Sequence, residues 1–219
     1  MNAKEIAARA ALAELPAEGV IGLGTGSTTR LFIDALGELV QQGRRYIGVP
    51  TSEASRAQAS ALGIPLLSDD GPWDIAVCVD GADEVSPALD LIKGGGGAHT
   101  REKIVNASAK KNVIIVDESK LSAQLGVKWK IPIEVLHFAH AATAAHLVRF
   151  GTPTLRAGRT DSGNVIYDLA AGALADPAAI DRELHAIPGV VETGLFIRRA
   201  DVVIVAKANG EIARLTRPE

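Results

Sequence analysis

The sequence predicts an α/β protein, a Rossmann-like parallel-sheet domain with a smaller inserted α+β domain of ferredoxin-like order. Three observations predict it. Short apolar runs alternate with helical patterns through the first half of the chain. Some of those runs, such as 75–79, are apolar at nearly every position, as strands buried on both faces must be. After residue 130 the order becomes strand, helix, strand, strand, helix, strand, before an apolar run at 201–206 resumes the first pattern. The domains are therefore expected at 1–130 plus 201–219, the α/β part, and at 131–200, the small α+β part.

Residues 19–23 read as the first strand. A helix follows over 27–40, with Leu31, Phe32, Ala35, Leu36 and Leu39 recurring on one face. A strand is expected at 46–49, then an Ala-rich helix over 52–62 that starts at Ser52, a good N-cap. Strands follow at 64–67 and 75–79, a helix at 100–111 and a strand at 113–116. In the second part, strands are expected at 131–136, 154–156, 164–169 and 190–196, with helices at 139–150 and 177–187. The last helix has Asp176 as N-cap and Pro177 at its first position. Asn209-Gly210 marks a hairpin after the final apolar run.

Composition narrows the function. With 219 residues, 47% apolar and 22% charged, the chain can bury a full core. A net charge of −3 with scattered Lys and Arg lacks a nucleic-acid binder's footprint, and 4% aromatics leaves few stacking platforms for bases. The single cysteine, Cys78, excludes an intrachain disulfide and a cysteine zinc cluster, and its apolar neighbours make it a small core residue. The spacing of His137, His140 and His146 is not that of a helical metal site, and no metal is expected. The N-terminal stretch carries Lys4, Glu5, Arg9 and Glu14 within its apolar residues, unlike a signal peptide or membrane span, so the expected location is the cytoplasm.

Three segments could carry chemistry. Gly22-Leu23-Gly24-Thr25-Gly26-Ser27-Thr28 lies between a strand and a helix, where free N–H groups and hydroxyls favour an anion such as phosphate. It lacks the lysine of a P-loop, and a tight turn capped by Ser27 is the alternative. Asp80-Gly81-Ala82-Asp83-Glu84 lies at the C-terminal end of the buried strand 75–79, where ligands bind in open α/β sheets. A solvated acidic loop would look the same. Lys93-Gly94-Gly95-Gly96-Gly97 precedes a helix with Glu102 in its first turn. Four ordered glycines are entropically costly and imply that backbone passes close to something, whereas a lone Glu there could simply favour the helix dipole. Lys120, after a further strand end, is a plausible anion contact.

Taken together, these motifs resemble the type A ribose-5-phosphate isomerase family. The resemblance rests on Gly22 to Thr28, Val79-Asp80-Gly81-Ala82-Asp83-Glu84, Lys93 to Gly96 and Thr100-Arg101-Glu102-Lys103. Asp117-Glu118-Ser119-Lys120, Ile187-Pro188-Gly189-Val190-Val191 and Gly194-Leu195-Phe196 extend it over essentially the whole chain. It implies cofactor-free interconversion of ribose 5-phosphate and ribulose 5-phosphate in the non-oxidative pentose phosphate pathway, by a homodimer or homotetramer without nucleic-acid or membrane partners. It assigns Glu102 as the base, with Lys93, Asp80 and Asp83 also catalytic. Substrate contacts would come from Thr25, Gly26, Ser27 and Thr28, from Asp80, Gly81, Ala82 and Asp83, and from Lys93, Gly94, Gly95, Gly96 and Lys120. Gly97 and His99 depart from the family pattern. The chemistry is coherent, because a desolvated Glu can take and return one proton, while Lys93 and glycine N–H groups stabilise an enediolate. The alternative is a non-catalytic sugar-phosphate-binding regulatory protein using the same residues.

Overall fold

The computed structural model describes residues 2–217; the expected domain ends at 1, 218 and 219 lie outside them. The chain opens with α1 (Ala3–Ala10), β1 (Gly19–Leu23), α2 (Ser27–Gln41), β2 (Tyr46–Pro50), α3 (Glu53–Ala61) and β3 (Ile75–Asp80). It continues with β4 (Glu84–Val85), β5 (Leu91–Ile92), α4 (His99–Ala107), β6 (Asn112–Asp117), β7 (Ile131–Val135), α5 (His140–Leu147) and β8 (Thr152–Leu155). Then come β9 (Val165–Ala170), α6 (Pro177–His185), β10 (Val190–Thr193), β11 (Leu195–Phe196), β12 (Val202–Ala206) and β13 (Ile212–Thr216). Two compact units divide these elements. The first comprises Met1–Gly81, Arg101–Lys120 and Arg199–Glu219, and the second Ala82–Thr100 and Leu121–Arg198. The second unit thus takes in 82–100 and 121–130 besides the ferredoxin-like segment.

The first unit is built on a six-stranded sheet in the order β13-β12-β6-β3-β1-β2. Every neighbouring pair is parallel except β12 with β13, the hairpin at Asn209-Gly210. The chain moves outward from β1 to β2, then crosses back over β1 to β3. That reversal opens a crevice at the carboxyl ends of β1 and β3. The amphipathic α2 buries Phe32, Ile33 and Leu36 against Ile21, Leu23, Val77 and Val79 of the sheet. On the opposite face Val105 of α4 packs with Cys78, and a Cβ at Gly22 would stand 2.8 Å from Val105 and 2.9 Å from the Cys78 sulfur. Gly22 is thus needed for close helix-to-sheet packing, and Cys78 is the core residue expected.

Two departures have local causes. Asn2 accepts from the Glu5 N–H and starts α1, whose Ala7 and Ala8 are buried, a helix the sequence pattern does not announce. The expected strand at 64–67 is reduced to a bridge between Gly48 and Leu66, because Pro65 has no N–H to extend a ladder. Among the described residues no helix is long and apolar enough to cross a membrane.

The second unit carries a four-stranded antiparallel sheet, β10-β7-β9-β8, the order expected of the split βαβ arrangement. Ile131, Ile133 and Val135 of β7 pack with Leu147 of α5 and Leu184 of α6. A three-stranded sheet, β11-β5-β4, completes it. The single strand expected over 190–196 is therefore two strands in two sheets. Gly194 makes the change: its N–H donates to Pro132 O at 2.7 Å, and its carbonyl accepts from Lys93 N at 2.9 Å. A Cβ there would overlap the Lys93 carbonyl.

Candidate active site

In the first unit the strand-to-helix turn after β1 wraps around one carboxylate. Asp80, 2% exposed at the end of β3, accepts through Oδ1 from Thr25 N at 3.1 Å and from its neighbour Gly81 N at 2.7 Å. The buried Thr29 hydroxyl approaches the same oxygen at 3.4 Å. Gly24 must be glycine because a Cβ would overlap that carboxylate. The Thr25 hydroxyl is engaged with Thr51 Oγ1 and Ser52 Oγ, both at 2.8 Å, while Ser55 Oγ donates to Gly24 O at 2.6 Å. Thr25 thus locks the loop from both its backbone and its side chain. Gly26 and Ser27 are exposed and Thr28 half-buried, so the outward part of the loop is the part after Thr25.

The alternative of a turn capped by Ser27 does not hold. Gly26, at φ +124°, is the N-cap, and no side chain caps α2. Ser27 Oγ instead accepts from Lys4 Nζ at 2.9 Å. Nothing local in the sequence connects Lys4, a lysine of α1, to a loop beyond residue 20. Lys4 also lines a cavity of about 510 Å³ with Asp117 and Ser119, at the carboxyl ends of β6 and β12. Lys120 ends the short 3-10 turn after β6 and is half-buried.

Helix α4 delivers Glu102. Because β6 is parallel to β3, α4 runs back between them and its N-terminus lies at the carboxyl edge of the sheet. Glu102 stands in its first turn, three residues before Val105 and hence on the helix face that packs against Gly22 and Cys78. It is 2% exposed. Thr25, Gly26, Ser27, Thr28, Asp80, Gly81, Glu102 and Lys120 therefore share one edge of one unit.

In the second unit Asp83 and the glycine run meet. Asp83 Oδ2 accepts from Gly95 N at 2.7 Å, and a Cβ at Gly95 would stand 2.8 Å from that carboxylate. Gly94 has φ +101°, and a Cβ there would approach the buried imidazole of His99 to 2.7 Å. Gly97, at φ +81°, closes the turn by donating to Gly94 O at 3.0 Å. The neighbours that make Gly94 and Gly95 necessary thus belong to the chain itself, which refines the expectation that a ligand explains the run. Lys93 is buried, with Nζ 5.3 Å from the centre of the Phe196 ring. Ala82 is half-buried, Gly95 and Gly96 exposed.

The solvated-loop alternative for the acidic segment fails. Glu84 is fully buried and accepts from the N–H groups of Gly126, Lys128 and Trp129 at 2.9, 3.0 and 3.2 Å. It organises a loop more than forty residues away rather than facing solvent. Glu134, 1% exposed in β7, accepts from Thr100 at the start of α4, and through Oε1 from Thr160 and Asn164 at 2.9 and 2.8 Å. A charged residue inside the apolar run 131–135 was the one signal in the sequence that could have marked it.

Residues 47–210 match the family model of ribose 5-phosphate isomerase A (phosphoriboisomerase A). Ribose-5-phosphate isomerase A of Thermosynechococcus vestitus is 44% identical over 214 residues, covering 93% of this chain and 91% of that protein. The protein of the same name from Methanothermobacter thermautotrophicus is 45% identical, covering 96% of each. Among solved structures, a D-ribose-5-phosphate isomerase in complex with phospho-erythronic acid superposes with TM-score 0.93 at 42% identity over 98% of both chains. Ribose 5-phosphate isomerase A from Methanocaldococcus jannaschii gives 0.91 at 39% identity over the same share.

Proposed function

The chain belongs to the ribose 5-phosphate isomerase A family, and from that premise we propose that it interconverts ribose 5-phosphate and ribulose 5-phosphate through an enediolate, with Glu102 as the base. The observation that carries the reading is a buried carboxylate in the first turn of α4, on the sheet edge that also bears the Gly24–Thr28 turn and Asp80. The phosphosugar analogue bound to a 42% identical isomerase supports the substrate class.

The phosphate is assigned to the start of α2. With no side chain capping that helix, its first N–H groups suit an anion, and Ser27, Thr28, Lys4 and Lys120 add hydroxyls and positive charge. Binding energy spent on the phosphate positions C1 and C2, remote from it. After ring opening, the Glu102 carboxylate takes the C2 proton, and that electron pair forms the C1–C2 double bond while the C1 carbonyl oxygen becomes anionic. Lys93 and the N–H groups of Gly94 and Gly96 stabilise that oxygen. Transfer of the O2 proton to O1 and return of the proton from Glu102 to C1 then yield the ketose. Asp80 and Asp83, whose first task is to hold the loops, also orient sugar hydroxyls.

The test is to add ribose 5-phosphate to purified, chelator-treated protein and follow ribulose 5-phosphate. Turnover is expected, and Glu102→Gln should lower kcat by about a thousandfold while phosphosugar binding survives. Binding without turnover by the wild type would move the chain to the sugar-phosphate-binding regulatory class. Near-normal turnover by Glu102→Gln would remove Glu102 as the base.

A further inference from the structure

We propose that Arg156 is a positioning residue for the isomerisation, a cation placed behind the glycine run that orders the run and strengthens the Gly96 N–H as a donor. The inference rests on the assignment of the Gly96 N–H to the enediolate, the Gly95 N–H being engaged with Asp83. Arg156 follows β8, and its own N–H donates to Ile166 O at 2.8 Å. Its side chain has two faces of contact. Nε and Nη2 form a two-pronged pair with Asp168 of β9. Nη1 donates to Gly94 O at 2.9 Å and to Gly95 O at 3.3 Å.

Those two carbonyls belong to the peptide groups that contain the N–H of Gly95 and the N–H of Gly96. A cation on a peptide oxygen withdraws charge from that peptide and makes its N–H a stronger donor. Gly95 N already donates to Asp83, so the peptide between Gly94 and Gly95 is pinned at both ends, by Arg156 at its oxygen and Asp83 at its nitrogen. Gly94 and Gly97 adopt positive φ, a conformation without intrinsic rigidity in glycine. Arg156 therefore supplies order that the glycines lack, and Asp168 fixes the guanidinium so that little side-chain entropy is lost on holding the loop. A lysine in this place could not span a carboxylate and two carbonyls, because it offers a point charge rather than a planar fork.

The test is kinetic, with a structural readout beside it. Arg156→Ala is expected to lower kcat about 10- to 100-fold, less than or comparable to loss of a direct oxyanion donor, with KM within about threefold. A cavity of about 370 Å³ lies against Gly95, Arg156 and Asp168 and can admit a guanidinium ion. Millimolar guanidinium should therefore restore part of the lost kcat in Arg156→Ala. The double variant Arg156→Gln with Asp168→Asn keeps a hydrogen-bonding pair without charge, and should lose kcat to a similar extent while its thermal midpoint stays near wild type. Hydrogen exchange at the Gly95 amide should accelerate in Arg156→Ala, whether or not the substrate assignment is right. Unchanged kcat in both variants, or a loss confined to KM, overturns the proposal. If the wild type itself does not turn over ribose 5-phosphate, the functional assignment fails, and Gly95 exchange alone then decides whether Arg156 orders the loop.

Discussion

The two glycine-rich turns look alike on paper and are built by opposite means. The turn after β1 is held by backbone N–H groups converging on Asp80, and its last glycine, Gly26, has no atom within 4 Å of where a Cβ would stand. The turn before α4 is crowded by side chains: His99 beneath Gly94, Asp83 beside Gly95, Arg156 on their carbonyls. In the first, glycine near the outward end keeps space and conformation open. In the second, glycine lets the chain's own side chains approach the backbone. The lesson is that a glycine run does not by itself mark ligand contact, and the contact must be argued from where the N–H groups point.

The sharpest way to break this comparison is Gly24→Ala. Its methyl would overlap the buried Asp80 carboxylate, which is fixed by two backbone donors and cannot give way cheaply. We expect a loss of more than about 3 kcal/mol, read by denaturant unfolding, since overpacking and a disturbed buried hydrogen-bond network add. A near-wild-type midpoint would mean that Asp80 does not organise the turn. Next in size is Gly94→Ala, at about 2–3 kcal/mol from positive φ plus the approach to His99. Here the comparison predicts coupling: combined with His99→Ala, the cost should be smaller than the sum of the single changes by about 1 kcal/mol. Strict additivity would show that the imidazole is not what Gly94 accommodates.

These two turns also explain what could be read in the sequence. The loop after β1 and the acidic end of β3 were legible because their chemistry is short-range: glycines and hydroxyls between a strand and a helix, carboxylates at a strand end. Glu102 was legible because its position in a helix's first turn is fixed by spacing. Arg156, Glu84 and Glu134 were not, because each is explained by partners 12 to 62 residues away, which only the folded chain brings together. The division of 190–196 failed for a related reason. Apolar periodicity says that residues are buried, not which sheet receives them, and Gly194 changes sheets without interrupting the pattern.

Gly26→Ala tests the open end of the first turn. No neighbour opposes the methyl, so the cost is conformational only, about 1–3 kcal/mol for a non-glycine residue in that region. If the start of α2 holds phosphate, KM for ribose 5-phosphate should rise by a larger factor than this instability explains at temperatures where the variant remains folded. An unchanged KM would remove Gly26 from the phosphate site.

The smallest expected effect concerns what lies beneath the second turn. His99 Nε2 lies 3.4 Å from the carbonyl of Glu192, and the Glu192 side chain accepts from His185 Nε2 at 2.7 Å. His185 also holds α6 through the Asp181 carbonyl, at 2.8 Å from Nδ1. Hydrogen bonding to Asp181 and then Glu192 raises its pKa from 6.5 to about 10. A raised folded-state pKa stabilises the fold fully below about 6.5 and loses that contribution as pH climbs through about 10. The side chain is 37% exposed, so solvent screening limits the contribution to under about 1 kcal/mol. The thermal midpoint of the wild type should therefore exceed that of His185→Gln at pH 6.5, and the gap should close toward pH 10. Exchange at Gly95, corrected for intrinsic rate, should rise across the same window while exchange at Thr25 follows global stability alone. A gap that stays constant with pH would show that His185 braces β10 as a neutral side chain. The second turn would then owe its order to Arg156 and Asp83 without electrostatic support from below.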